Sequence, residues 1–191
     1  MLVLVTGPVR AGKSTFALRL ARASGKSPVY LATALVDPAD PEMTERVALH
    51  RAERAGMRSI EIDERGGAGL IAALLALGRD EVAIVDSLGT WFGALLLGAE
   101  TEAEAEPGRV AAAVKAQATL LRETLAAMKA DAVIVAEEAG WGLVPVTPLG
   151  RIFRDELGRA TSALARDAGA AYLVVAGYAL DIKRLGRPVS D

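Results

Sequence analysis

Five apolar runs of strand length recur along the chain, separated by helical stretches: LVLVT (2–6), VYLAT (29–33), EVAIVD (81–86), AVIVAE (132–137) and AYLVVAG (171–177). The runs are continuous rather than alternating, which is the pattern of strands buried on both faces. RSIEI (58–62) is a weaker sixth candidate, and helical patterns fall near 13–23, 42–55, 68–77, 89–98, 108–129 and 149–168. Strand–helix alternation of this kind predicts an α/β fold, a mostly parallel sheet with helices on both faces and right-handed crossovers. The 191 residues suit one domain, 1–191, and a 52% hydrophobic composition supplies its core, mostly from Ala, Leu and Val because aromatics are only 4%. GAETEAEAEPG (98–108) is the one compositional break; it reads as an exposed excursion, with Pro107 placed to open the next helix. The polar tail DIKRLGRPVSD is expected to fray.

Several classes are excluded or disfavoured. A net charge of −2 argues against a protein built to coat nucleic acid. No apolar run reaches 18 residues, so no membrane span is expected. MLVLV runs into a glycine loop without a basic start and does not read as a signal peptide. The absence of cysteine rules out disulfides and thiolate metal sites and fits a cytoplasmic protein. The chain also lacks asparagine, has only Gln117 as glutamine, and carries 17 arginines among its 22 basic residues. That is a thermophile tendency, which a GC-rich genome would produce in part.

The strongest local signal is LVLVTGPVRAGKST, where Gly7, Gly12, Lys13 and Ser14 satisfy G-x-x-x-x-G-K-[ST] between a buried strand and a helix. The loop of Gly7, Pro8, Val9, Arg10, Ala11 and Gly12 would turn its backbone N–H groups inward as an anion nest, and the following helix adds the positive end of its dipole. Gly12 lets the backbone approach a phosphate without a Cβ in the way. Lys13 would reach the β and γ phosphates, and the Ser14 hydroxyl would ligate Mg²⁺. With the alternation above, this loop predicts a P-loop NTPase with a RecA-like sheet.

Such a loop needs an acidic partner on a neighbouring strand. Asp86 closes EVAIVD as a Walker-B carboxylate does, holding Mg²⁺ directly or through water. Alternatively it caps the helix that DSLGTW begins, and both roles can hold together. Ligands of open parallel sheets lie beyond the carboxyl ends of the strands. The end of VYLATA, Asp86 and the EEAGWGLVP loop after Glu137 should therefore surround one crevice with the phosphate loop.

His50 is the only histidine. With Met43 as origin and about 100° per residue, Val47 falls near 40°, His50 near 340°, Arg54 near 20° and Arg46 near 300°. His50 thus continues the stripe begun by Met43 and Val47, with Arg46 and Arg54 four residues to either side on its face. Neighbouring cations favour a neutral, nucleophilic imidazole and attract polyphosphate. A solvated surface histidine is the alternative; the phosphate loop favours a nucleophile or a phosphate contact.

In the order of these elements the chain resembles the bifunctional adenosylcobinamide kinase / adenosylcobinamide-phosphate guanylyltransferase family of cobalamin biosynthesis. The resemblance rests on GPVRAGKS, YLATA, EMTERVALHRAER (Glu42 to Arg54), MRSIE ending at Glu61, DSLGTW, EEAGWGLVP and RIFRDELGR. It implies that His50 attacks the α-phosphate of GTP, expels pyrophosphate and carries GMP to adenosylcobinamide phosphate, which is covalent catalysis in two displacements. It also implies a kinase step on adenosylcobinamide, with ATP or GTP as donor, and a homotrimer. Its guanine-nucleotide positions carry over as Gly7 to Ser14, Ala32, Thr33, Ala34, Arg51, Ala52, Glu53, Arg54, Glu61 and Asp86, with His50, Lys13 and Asp86 catalytic and Ser14 and Asp86 on the metal. Glu61 would read guanine N1–H and N2–H₂ from an exposed loop; an ordinary edge-strand glutamate is the other reading.

The chain departs from the family pattern at several places. Pro8 replaces a glycine, Ala11 a serine, Ser87 a cysteine, Gly89 a threonine and Ala94 an asparagine; Glu137 stands where the family has asparagine, and ATSA (160–163) replaces a stretch that usually carries Asn-Gln. Glu137 puts an extra carboxylate in a loop expected to face substrate. Arg151 and Asp155 form an i,i+4 pair in RIFRDELGR, which reads equally as a surface helix or a basic rim. Two further readings differ in class. A plain phosphate-loop small-molecule kinase would transfer only the γ-phosphate and form no covalent GMP. A RecA-like nucleotide-dependent assembly module would hydrolyse nucleotide in response to a polymer or partner.

Overall fold

The computed structural model describes residues 1–35, 45, 51–52, 54–62 and 67–189. The apolar runs become strands β1 (Leu2–Gly7), β2 (Ser27–Ala32), β3 (Arg58–Glu61), β4 (Glu81–Asp86), β5 (Asp131–Glu137), β6 (Ala170–Val175) and β7 (Tyr178–Asp181). They form one sheet in the order β3-β2-β4-β5-β1-β6-β7. All pairs are parallel except β6–β7. The helices whose full extent lies among the described residues are α1 (Lys13–Ala23), α2 (Ala68–Leu75), α3 (Leu88–Leu96), α4 (Glu100–Ala105), α5 (Pro107–Ala127), α6 (Pro148–Asp167) and α7 (Ile182–Leu185).

Alternate residues of each central strand serve two cores, which is why the strands are continuously apolar. Leu4, Leu31, Val85 and Ile134 face one core with Leu70, Trp91, Leu121 and Leu157 from α2, α3, α5 and α6. Val5, Tyr30, Ile84 and Val135 face the other with Ala17, Leu18 and Ala21 from α1. The strand period puts Asp86 on this second face with Ile84 and Tyr30, and α1 also packs against β4. No helix among the described residues is long and apolar enough to cross a membrane.

Three expectations change, and a fourth lies mostly outside the described residues. Asp86 is not on the strand beside β1: β5 lies between β1 and β4. The acidic break is a helix, α4, whose Ala103 is wholly buried while Glu100 and Glu102 stand in its first turn, where the dipole favours acids. The tail does not fray from Asp181 onward. Asp181 ends β7 and caps α7 by accepting the Arg184 N–H at 3.0 Å, and Lys183 Nζ donates to the carbonyls of Ala168 (2.5 Å) and Arg166 (3.1 Å). The helix over 42–55 lies mostly outside the described residues, with Glu45, Arg51 and Ala52 helical within it.

Candidate active site

The phosphate loop joins the carboxyl end of β1 to α1. Gly7 has φ +147°, and a Cβ there would stand 2.1 Å from the Val174 carbonyl oxygen, so only glycine lets β1 turn beside β6. Arg10 also sits in the left-handed region at φ +59°, a conformation a non-glycine residue rarely holds. Ala11 is buried, and its carbonyl accepts the Gly177 N–H at 3.2 Å, tying the loop to the β6–β7 turn. Val9 is exposed.

Gly12 opens α1 with no side-chain cap, and the first turn holds no acid. The first N–H groups of the helix are thus left for an anion. Lys13 is buried, and its Nζ donates to the Pro8 carbonyl at 2.8 Å, which folds the ammonium over the loop. Pro8 brings no N–H to the nest. Ser14 is half-buried at the start of α1.

Asp86 ends β4 in register with Ala32 of β2. The Tyr30 hydroxyl, from two residues earlier on β2, donates to Asp86 Oδ2. Among the described residues Asp86 Oδ1 has no hydrogen-bond partner. The helix N-cap is Ser87 rather than Asp86: Ser87 and Thr90 form a reciprocal capping box, at 3.3 Å from Thr90 N–H and 3.1 Å from Ser87 N–H. Thr33 braces the same turn, its N–H on the Asp86 carbonyl (3.3 Å) and its hydroxyl on the Ser87 carbonyl (2.6 Å). The Thr33 side chain is therefore buried in protein contacts; Ala34 beside it is half-buried.

Ser14 and Asp86 belong to the same face of the sheet, one at the start of α1 and the other at the end of β4. A hydroxyl and a carboxylate oxygen are the hard donors Mg²⁺ takes, so the residues present fit the ion.

His50 and Glu53 lie outside the described residues. Their neighbours converge on Glu61 at the end of β3, which sits on an edge strand rather than in a loop. Glu61 Oε1 accepts from Arg51 Nε (3.4 Å) and from Arg54 Nη2 (3.2 Å). Arg51 and Ala52 are exposed, whereas Arg54 is only 4% exposed. The Arg54 guanidinium lies 4.2 Å from the Tyr30 ring centroid, a cation–π contact. Its Nε and Nη1 are buried with no hydrogen-bond partner among the described residues. Buried donors are nearly always satisfied, so two unspent ones on a single guanidinium are conspicuous.

Glu137 ends β5 in register with Gly7, and the Glu138 N–H donates to the Gly7 carbonyl at 3.0 Å. The carboxyl end of β5 thus lies between the phosphate loop and Asp86. The Glu137 carboxylate accepts the Gly89 N–H at 2.8 Å in the first turn of α3. The loop beyond leaves Trp141, Leu143, Val144 and Val146 exposed. Arg151 does not pair with Asp155: its Nη1 donates to the Pro145 (3.2 Å) and Val146 (2.8 Å) carbonyls and pins the loop to α6. Asp155 faces Arg154 at 3.8 Å, and Arg159 pairs with Glu156. Tyr30 and Thr90 were not singled out from the sequence, because their roles depend on partners from other segments.

The fold and the site define a phosphate-loop protein of the RecA-like type. The chain is similar to the ATP synthase subunit NeqB from Nanoarcheaum equitans (TM-score 0.56, 13% identity, 98% of this chain and 52% of that one). It is also similar to an ATPase from the type III secretion system of pathogenic bacteria (TM-score 0.51, 14% identity, 98% and 59%). It spans little more than half the length of either, and the likeness is one of fold. A family model described as Cobinamide kinase / cobinamide phosphate guanyltransferase matches residues 3–182. Relatives include the bifunctional adenosylcobalamin biosynthesis protein CobP of Pseudomonas aeruginosa, 34% identical over 97% of this chain and 98% of that one. The proteins named CobU from Salmonella typhimurium and Escherichia coli are 35% and 33% identical, each over 96% of this chain and 100% of the relative. The chain belongs to this family of kinases and guanylyltransferases of cobalamin biosynthesis.

Proposed function

We propose that this protein transfers GMP from GTP to adenosylcobinamide phosphate through a covalent adduct on His50, and phosphorylates adenosylcobinamide with ATP or GTP as donor. The observation that carries this reading is the convergence of Arg51 and Arg54 on Glu61. It ties the residues that follow His50 to the carboxyl edge of the sheet, where the phosphate loop and Asp86 also lie.

The triphosphate is held by the loop from Gly7 to Ser14 through its N–H groups, Pro8 excepted, with Lys13 swinging from the Pro8 carbonyl to the β and γ phosphates. Ser14 and Asp86 would hold Mg²⁺, which supplies charge neutralisation on the phosphates when bound. Glu61 reads guanine with the oxygen that the arginines leave free. An imidazole nitrogen of His50 attacks the α-phosphorus; the P–N bond forms as the bond to pyrophosphate breaks. A phosphate oxygen of adenosylcobinamide phosphate then attacks the same phosphorus, the P–N bond breaks, and His50 is restored with adenosylcobinamide-GDP as product. Ala32 to Ala34 and Ala52 to Glu53 line the nucleotide site, and a trimer completes it in this reading.

Incubation with α-labelled GTP and Mg²⁺ tests this. An acid-labile, base-stable label that vanishes in His50→Ala is the expected result. Labelling retained in His50→Ala would overturn the assignment.

A further inference from the structure

Asp86 is braced from one side only, by β2. The Tyr30 hydroxyl donates to Asp86 Oδ2 and the Thr33 N–H to the Asp86 carbonyl, while Oδ1 carries no hydrogen bond among the described residues. Tyr30 is 4% exposed, its ring held between the α1-side core and the Arg54 guanidinium 4.2 Å away. Position 30 is opposite Ile84 in the ladder and therefore diagonal to Asp86. A tyrosine is long enough to cross that diagonal with its hydroxyl while its ring stays in the apolar layer.

A carboxylate at a strand end turns freely about its last torsion. A buried hydroxyl on one oxygen removes that freedom and commits the other oxygen outward.

We propose that Tyr30 is a positioning residue for the metal-binding carboxylate. Its hydroxyl takes Oδ2 of Asp86 and so presents Oδ1 to the hydration shell of the divalent cation that accompanies the nucleotide. Groups that orient a metal-binding carboxylate set its affinity by about 10- to 100-fold. The inference rests on the metal role of Asp86 within the proposed function, and it requires no chemistry at His50.

The test measures Mn²⁺ bound by the protein–GTP complex, by electron paramagnetic resonance of the free ion, in the wild type, Tyr30→Phe, Asp86→Asn and the double variant. The phenylalanine keeps the ring beneath Arg54 and removes only the hydroxyl. Tyr30→Phe is expected to weaken Mn²⁺ binding about tenfold or more. GTP affinity in EDTA stays at the wild-type value, and adding Tyr30→Phe to Asp86→Asn costs nothing further in Mn²⁺ binding. Wild-type Mn²⁺ affinity in Tyr30→Phe, with Asp86→Asn impaired, would overturn the proposal and leave the metal role of Asp86 standing. Unchanged affinity in Asp86→Asn would remove that metal role and the Tyr30 proposal with it. A Tyr30→Phe loss that persists in EDTA, or adds to that of Asp86→Asn, would make Tyr30 a general support of the β2 edge and also overturns the proposal.

Discussion

The Glu137 carboxylate occupies the volume that a side chain at position 89 would need: a Cβ on Gly89 would lie 2.2 Å from Glu137 Oε2. Gly89 and Glu137 are thereby joined in one contact, a carboxylate on the first turn of α3. Gly89→Ala alone should cost about 1–3 kcal/mol, because the carboxylate is expelled from its N–H partner. In a Glu137→Asn background, shorter by one methylene, the same substitution becomes neutral or stabilising, since alanine is the better helix former by ~1 kcal/mol. A urea-denaturation double-mutant cycle reads the coupling directly.

Gly7 faces a harder constraint. Its φ of +147° and the Val174 carbonyl 2.1 Å from a built Cβ leave no room for a side chain, and the obstacle is backbone. Gly7→Ala should destabilise by ~3 kcal/mol or more, with nucleotide binding lost, because β1 and β6 must part to admit the methyl group. Thermal unfolding followed by circular dichroism, with a fluorescent GTP titration, checks both.

Lys13 is buried, and its ammonium rests on the Pro8 carbonyl at 2.8 Å. Lys13→Met keeps the apolar stem and removes the charge. Stability should change little, while turnover falls by at least about 10²-fold, the loss typical of removing a charge that stabilises the transition state. Steady-state kinetics of both transfers measures it.

The Asp131 carboxyl ionises below the ordinary carboxylate range. Burial opposes the charge, but the hydrogen bond from Lys26 Nζ, 2.8 Å away, and the Met1 amine outweigh it. The stability this lends is present above the unfolded pKa of about 3.9 and is lost as pH falls through the lower folded value. Asp131→Asn should therefore lower stability near neutral pH and flatten the acid limb of the stability profile. Urea midpoints measured from pH 3 to pH 7 give the comparison.

The five long strands were legible because each carries an unbroken apolar run between turn signals. β7 was not: YALD is short and mostly exposed, and only its pairing with β6 makes it a strand. The insertion of β5 between β1 and β4 was likewise hidden, since periodicity identifies strands and leaves their lateral order to the crossovers. α4 was missed because its glutamates mask a single buried contact, Ala103. Of the candidate site residues, Gly7, Lys13, Ser14 and Asp86 stand in local motifs, which is why the sequence alone proposes them. The Tyr30–Asp86 and Gly89–Glu137 contacts join residues 56 and 48 positions apart, so no window of sequence contains them.

Guanylyl transfer as proposed passes through a covalent bond between His50 and GMP. Intact-protein mass spectrometry after exposure to GTP and Mg²⁺, without acceptor, tests it most directly. The expected result is a species heavier by one GMP that returns to the starting mass when adenosylcobinamide phosphate is added and is missing from His50→Ala. A folded, GTP-binding wild type that stays at its unmodified mass would contradict it.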